Sequence, residues 1–290
     1  ITELTFSLIT HPDFPNAEKL LAKPWPKNQR LHPTLSNLLP EGALRELIAQ
    51  RLKTHIDNEF QLLSSLGQDL PGALIATPLE PEEVPDSILS TYGKVKAVRF
   101  NAETKENKFS LAGIQMKFSM QENNGHYHLT KGNDLGDWII KTPSTQHKHV
   151  PLNEYTAMTL ASLAGVNIPD ILLVDLSQLD KLPPINLPDE KLAFAIKRFD
   201  RDQNKRIHTE DFAQVLVKYP HEKYNAANYE QIAKVLYQFS GEGLADVQQL
   251  ARHKIPNWVH LFFDKHFPNT ILNYPISIKV IEHLTQKVFK

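Results

Sequence analysis

Cysteine is absent from the 290 residues of this chain. Its absence excludes disulfide bonds, thiolate nucleophiles and zinc sites built on cysteine. A chain without disulfides suits a reducing compartment, so we expect a cytoplasmic protein. Long apolar runs are lacking as well: no stretch approaches the roughly 18 residues that indicate a transmembrane helix, and there is no signal-peptide pattern. The sequence therefore predicts neither a membrane-spanning nor an exported protein.

An excess of charge of either sign is also lacking. The chain has 32 lysines and arginines against 33 acidic residues, a net charge of −1, which gives no overall attraction to nucleic acid. We expect no direct nucleic-acid binding by this chain alone. One alternative stays open, a local basic patch made by Lys197, Arg198, Arg201, Lys205 and Arg206.

Hydrophobic residues make up 41% of the chain and charged residues 22%, as in ordinary globular proteins, and the length suffices for two modest domains. A proline-rich, acidic stretch at 77–85 reads as a linker. We therefore divide the chain into residues 1–85, 86–200 and 201–290. In the first part, apolar spacing predicts helices over 38–52 and 58–66, a left-handed C-cap at Gly67 and a short strand over 72–75.

The middle part is rich in predicted strands. They cover residues 95–100, 109, 117–120, 127–130, 138–141, 171–175 and 192–199, with one helix over 152–164 that stops at Gly165. The run Asn123-Asn124-Gly125 predicts a hairpin turn. Beyond Asp200 the pattern is helical, over 209–218, 229–239, 244–253, 258–263 and 276–289. A further strand is predicted near the start, over 4–9.

Glycine is scarce, with 11 in the chain, and no Walker pattern occurs. One stretch nevertheless suits phosphate binding: the small-residue turn of 109–118, followed by the apolar run 138–141 that ends in Lys141. A backbone loop can fold over a polyphosphate while a lysine reaches it from a neighbouring strand. The alternative is an ordinary hairpin with a lysine at a strand end.

The order of elements is that of a two-lobed kinase, in which a β-rich lobe with one helix precedes a helical lobe. Glu154 opens the helix after Lys141 and is placed to pair with it, which would fix the lysine as a positioned point charge. Alternatively, Glu154 is an acid favoured by the helix dipole. The sequence thus predicts an α+β fold of the two-lobed protein-kinase type.

Several segments resemble the HipA-like serine/threonine kinases, the toxins of bacterial toxin–antitoxin pairs, and they occur in the family's order. They are 37–42, 60–63, 67–73, 110–117, 153–155, 160–161, 165–169, 198–201, 207–214, 223–224 and 228–229. The segment Ser110 to Lys117 resembles the family's Ser-x-Ala-Gly-x-Gln-x-Lys loop. The resemblance covers about residues 35 to 250.

The resemblance implies roles for individual residues. Ser110 matches a loop serine that is autophosphorylated, which expels the loop and inactivates the enzyme. Lys141, helped by Glu154, matches the phosphate-binding lysine, and Lys197 to Phe199 match the segment that receives adenine through backbone groups; the family usually has an acid where Lys197 stands. The implied ATP-binding residues are Ser110, Leu111, Ala112, Gly113, Ile114, Gln115, Lys141, Glu154, Lys197, Arg198 and Phe199.

The catalytic loop departs from the family's Asp-x-His-x-Lys-Asn. The best match is 264–269, which implies Asp264 as the catalytic aspartate and Asn269 as a Mg²⁺ ligand, but Pro268 stands in place of the lysine and no Tyr-Asp pair follows. The alternative is a polar connection between helices. We expect either a degenerate or shortened kinase, or a catalytic segment that is absent from this sequence.

The resemblance therefore implies an ATP- and Mg²⁺-dependent kinase that phosphorylates a protein serine, with tRNA synthetases among the family's targets and a DNA-binding antitoxin of the HipB type as partner. The alternative is a catalytically inactive interaction module. Histidine pairs at 126/128 and 147/149 have a spacing that could chelate a metal, but solvated histidines are the simpler interpretation. His208 and Asp211 are interpreted as part of a helix start capped by Thr209.

Overall fold

The computed structural model describes residues 30–84, 86, 90, 116–130, 135–202 and 205–253. Several predictions lie outside these residues: the loop from Ser110 to Gln115, Asp264, Asn269, the strands over 4–9 and 95–100, and the helices over 258–263 and 276–289.

The N-terminal part is helical. Helix α1 covers Pro33–Ser36, α2 covers Gly42–Arg51 and α3 covers Glu59–Leu66. The predicted left-handed C-cap at Gly67 is wrong, because this residue has φ −57° and leads into a 3₁₀ turn, Gly67–Asp69. Glycine is needed there because a Cβ would lie 1.9 Å from the carbonyl oxygen of Ala76. The predicted strand over 72–75 is wrong too, since these residues form a turn and extended chain.

A six-stranded sheet follows, in the spatial order β4-β6-β3-β1-β2-β5. Its strands are β1 Lys117–Asn123, β2 His126–Leu129, β3 Trp138–Lys141, β4 Ile171–Asp175, β5 Leu179–Asp180 and β6 Leu192–Lys197. All neighbours are antiparallel except β2 and β5. The predicted hairpin turn joins β1 to β2, and Asn124 and Gly125 have φ values of 51° and 80°, as a type I′ turn requires.

One long helix packs on this sheet. Helix α4, Val150–Leu163, contacts β4 and β6. Gly165 follows it with φ +79°, the left-handed conformation in which glycine carries no steric penalty, so the predicted stop is confirmed.

After the sheet, strands β7 (Arg201–Asp202) and β8 (Lys205–Arg206) pair with each other. Helix α5 covers only Phe212–Val215, shorter than the predicted 209–218, because Asp211 rather than Thr209 caps it, in a reciprocal capping box with Gln214. Helix α6, Tyr229–Phe239, has the predicted bounds, and residues 243–253 are helical.

A continuous hydrophobic core joins the N-terminal helices to the sheet. It includes Leu39, Leu44, Leu62 and Leu70 from the first part and Phe118, Met120, Ile140 and Ala195 from the strands. The two parts therefore pack as one body in this region. Among the residues that the structure describes, none of the helices combines the length and apolarity that crossing a bilayer requires.

Candidate functional site

Lys141 and Glu154 form the predicted ion pair. Lys141 ends strand β3, and its Nζ donates to Oε2 of Glu154 on helix α4. Both side chains are about one quarter exposed, so the pair is shielded yet reachable from solvent. Glu154 is not in the first turn of its helix, which has no acidic residue there. The helix dipole therefore does not explain the position of Glu154, whereas the ion pair with Lys141 does.

A second lysine, which sequence reasoning did not place in the site, lies opposite the first. Lys117 on β1 pairs with Lys141 on β3 in the antiparallel register. Burial and the charge of Lys141 lower the pKa of Lys117 to about 8. Within the described part of the chain, Lys117 forms no ion pair of its own. The sequence signal was its position as the last residue of the Ser-x-Ala-Gly-x-Gln-x-Lys motif.

A second ion pair joins the N-terminal part to the part that follows the sheet. Glu41, just before α2, accepts a 2.6 Å hydrogen bond from Nζ of Lys223. The charge of Glu41 raises the pKa of Lys117, and the charge of Lys223 lowers it. Charged groups from three parts of the chain thus converge around Lys117.

In the predicted adenine segment, the backbone N–H groups of the first two residues are already bonded. The backbone N–H of Lys197 donates to the carbonyl of Asp170 at 2.9 Å, and that of Arg198 donates to Asp137 at 2.8 Å. Phe199 takes part in neither bond, and its side chain is 68% exposed. A ligand at this end of strand β6 would therefore meet Phe199 rather than the amides of Lys197 and Arg198.

The Arg198 side chain is fully buried in an ion network. It binds both carboxylate oxygens of Asp200, at 2.8 and 2.7 Å, and reaches Asp69 at 3.3 Å. Arg201 contacts the same two acids, at 2.9 and 3.0 Å. Burial acts to raise the pKa of Asp200, but its bonds to Arg198 hold that pKa below the usual value. A surface basic patch that includes Arg198 and Arg201 is therefore excluded.

Among the described residues, neither predicted histidine pair is part of a metal-binding cluster. His126 and His128 both approach Oδ2 of Asp180, at 3.5 and 3.0 Å. Over the ranges that the structure describes, no group of three histidine or acidic residues could hold a metal ion. His208 contacts Glu210 at 2.9 Å, and Asp211 caps α5, which agrees with a scaffold role.

The described part of the chain thus carries a mixed sheet with a lysine–glutamate pair between strand and helix, which is the arrangement of the protein-kinase class. The model of the HipA N-terminal domain matches residues 7–77, and the model of the HipA-like C-terminal domain matches residues 109–275. The second match alone covers more than half of the chain, so the chain belongs to the HipA-like family.

Relatives agree with this assignment. The chain is 38% identical over 261 residues to the "Putative kinase Y4dM" of Sinorhizobium fredii, covering 88% of this chain and 61% of that one. It is 27% identical over 275 residues to the "Putative kinase Y4mE" of the same organism, covering 87% and 62%. It therefore spans about three fifths of the length of these two relatives.

A toxin and a solved structure are also similar. Identity to the "Serine/threonine-protein kinase toxin HipA" of Shewanella oneidensis is 24% over 176 residues, 58% of this chain and 37% of the toxin. The complex of Shewanella oneidensis HipA and HipB with operator DNA has a TM-score of 0.50 at 19% identity, over 78% of this chain and 56% of that one. At this identity the likeness supports the α+β kinase-like fold alone.

Proposed function

We propose that this chain is the ATP-binding part of a serine/threonine protein kinase that acts as the toxin of a toxin–antitoxin pair. The observation that carries the proposal is the Lys141–Glu154 pair with Lys117 in register beside it. An ammonium group that is held by a carboxylate acts on a phosphate as a positioned point charge.

Lys117 and Lys141 would share the phosphates of ATP. Burying an unpaired charge is costly, and a bound anion offsets this cost. The phosphates would supply the counter-charge that Lys117 lacks among the described residues, while the ion pair with Glu154 would orient Lys141. The predicted loop from Ser110 to Gln115 would cover the phosphates through its backbone, and Phe199 would face the adenine.

Magnesium is the metal that such a reaction implies. Asn269 would hold it and Asp264 would orient the substrate hydroxyl, although both lie outside the described residues. In the described ranges no cluster of acids offers an alternative metal site. When bound, Mg²⁺ would supply positive charge that neutralises the phosphates during phosphoryl transfer.

Phosphorylation of Ser110 would switch the enzyme off. A phosphoserine carries a charge of about −1.5 to −2, so it would compete with ATP for Lys117 and Lys141 and displace the loop. The partner would be an antitoxin of the HipB type, as in the similar complex with HipB and operator DNA. The substrate would be a cytoplasmic protein serine, with a tRNA synthetase as the first candidate.

The test uses intact mass and nucleotide binding together. We expect incubation with Mg²⁺-ATP to add about 80 Da, the mass of one phosphoryl group, at Ser110, and Lys141→Ala to abolish both this gain and ATP binding. ATP binding without any mass gain would favour the catalytically inactive module. A chain that neither binds ATP nor gains mass would overturn the proposal.

A further inference from the structure

We propose that the buried network of Asp69, Arg198, Asp200 and Arg201 positions the adenine end of the nucleotide site, so that the N-terminal domain fixes Phe199 for base binding. This inference rests on the proposed function. It assigns a role to Asp69, which binds Arg198 and Arg201 and not the lysines of the phosphate site.

The network ties the two neighbours of Phe199 to the N-terminal domain. Arg198 holds Asp69 and also donates to Ser119 Oγ on β1 at 2.9 Å. Asp200 accepts from the backbone N–H of Gly72 at 2.8 Å. The residues on either side of Phe199 are thus both bonded to the N-terminal domain, Arg198 through Asp69 and Asp200 through Gly72. Phe199 itself remains exposed.

Arg201 completes the attachment. Its guanidinium donates to the carbonyls of Leu70 and Gly72, at 3.1 and 3.0 Å, and to Oδ1 of Asp69 at 3.0 Å. These bonds attach the loop of residues 69–72 to the segment that follows strand β6. Gly72 fits closely here with φ +72°, since a Cβ would lie 2.9 Å from Oγ1 of Thr209.

Joining the two parts of the chain through this network costs free energy, because charged groups must be buried. Its four charges are nearly or fully buried, and Oδ2 of Asp69 and Nε of Arg201 have no partner within the described residues. Apolar residues of similar size often stabilise an interface at least as well as buried ion pairs. A bidentate arginine additionally fixes the geometry of the groups that it joins. The segment around Phe199 requires such a fixed geometry if it is to bind a flat base.

The position of Phe199 relative to Lys141 suits one elongated ligand. Lys141 is level with Phe194 on the neighbouring strand, and Phe199 lies five residues further along. At about 3.3 Å per residue of extended strand this is at most roughly 16 Å, because β6 ends at Lys197 and Phe199 lies in the turn that follows. An extended nucleoside triphosphate, met by the long lysine side chain, covers such a span. The network therefore acts on the base and the lysines act on the phosphates.

The variant Asp69→Asn tests whether the network positions Phe199 or only joins the N-terminal domain to the end of strand β6. We would measure the dissociation constants of ATP and of tripolyphosphate for the full chain by calorimetry. The inference predicts that the variant loses about tenfold in ATP affinity, or 1.4 kcal/mol, while its tripolyphosphate affinity stays at the wild-type value. Lys141→Ala serves as the contrast, because it should weaken both ligands.

Glu59→Gln is the matched control. Glu59 is an equally buried acid of the N-terminal domain that also binds an arginine, Arg45, and a serine, Ser36, but lies in a different cluster. This variant should lower the melting temperature and leave the ratio of the two affinities unchanged. If Asp69→Asn does not fold, Ser119→Ala removes a single bond of Arg198 and keeps all charges, and it should reduce ATP affinity alone, by about threefold.

The outcomes separate the two proposals. A selective loss of ATP affinity in Asp69→Asn, or in Ser119→Ala, supports the positioning role. Equal losses for both ligands, or no loss in a folded variant, overturn it while leaving the proposed function intact. A wild-type chain that binds neither ATP nor tripolyphosphate overturns both.

Discussion

Lys117 and Lys141 face each other across strands β1 and β3, yet only Lys141 has a carboxylate partner in the described part of the chain. Two ammonium groups in directly opposed positions repel each other. Burial and this repulsion bring the pKa of Lys117 down from 10.5 to about 8. The two positions therefore combine one lysine that is held by a carboxylate with one whose pKa is lowered to about 8.

The first prediction concerns the pH dependence of ATP binding. Lys117 is charged below its pKa of about 8 and neutral above it, so ATP affinity should fall as pH rises from 7 to 9.5. Calorimetry at several pH values, in buffers of matched ionic strength, measures this fall. Lys117→Arg should abolish it, because a guanidinium stays charged throughout. A wild-type affinity that does not change over this range would contradict the assignment.

The second prediction concerns stability without ligand. The folded state lowers the pKa of Lys117, so the unfolded chain binds more protons between about pH 8 and 10.5 and stability should rise with pH across that window. Replacing the charge should have the same effect at pH 7. We expect Lys117→Met to stabilise the apo protein by on the order of 1–3 kcal/mol in urea unfolding and to abolish ATP binding.

Lys141→Met supplies the comparison for that experiment. It leaves Glu154 without its partner, so it should destabilise the protein rather than stabilise it. If Lys117→Met lowers the urea midpoint as Lys141→Met does, then the charge of Lys117 does not destabilise the apo protein.

Sequence reasoning succeeded where the signal is local. Lys141 ends a short apolar strand and Glu154 lies in the next helix, so strand and helix patterns alone place them near each other. Lys117 was missed because its importance depends on which strand pairs with β3 and in which register. Periodicity within a strand carries no information about the residue across from it.

The predictions that failed share a physical cause. Gly67 has the sequence context of a helix stop, but it continues into a 3₁₀ turn and lies against Ala76, whose backbone N–H donates to its carbonyl at 3.0 Å. The surface basic patch that included Arg198 fails for the same reason, because the Arg198 side chain binds Asp69, which is 129 residues away in sequence. Contacts between residues so far apart in sequence leave no local sequence pattern, so the buried network could be found only in the structure.

The third prediction isolates the role of Glu154. Glu154→Gln keeps the shape of the side chain but removes the charge that orients Lys141, so the γ-phosphate would be held less accurately. A misplacement of about 1 Å can cost about 10²-fold in rate, and we expect a loss of this order in the rate of Ser110 phosphorylation. The loss in ATP affinity should be smaller, because Lys141 itself remains.

Glu190→Gln is the control for this effect. Glu190 accepts bonds from the backbone N–H of His149 at the start of helix α4, at 3.2 Å. It supports the same helix without touching Lys141. A rate loss as large in Glu190→Gln as in Glu154→Gln would mean that helix position, and not the charge on Glu154, controls the rate.

The fourth prediction tests whether the N-terminal domain tunes the site electrostatically. Glu41 raises the pKa of Lys117 and Lys223 lowers it, although the two side chains bind each other. Glu41→Gln should therefore move the midpoint of the pH-dependent loss of ATP affinity to lower pH. Lys223→Met should move it to higher pH.

The double variant decides between this electrostatic effect and a structural one. If the charges of Glu41 and Lys223 act on Lys117 through space, their effects have opposite signs and should largely cancel when both are removed, returning the midpoint to near its wild-type value. If breaking the 2.6 Å contact instead disturbs the site, both single variants should shift the midpoint in the same direction and the double variant should not recover. Carbon-13 NMR of the Lys117 side chain would report the midpoint without ATP and so exclude any contribution from the ligand.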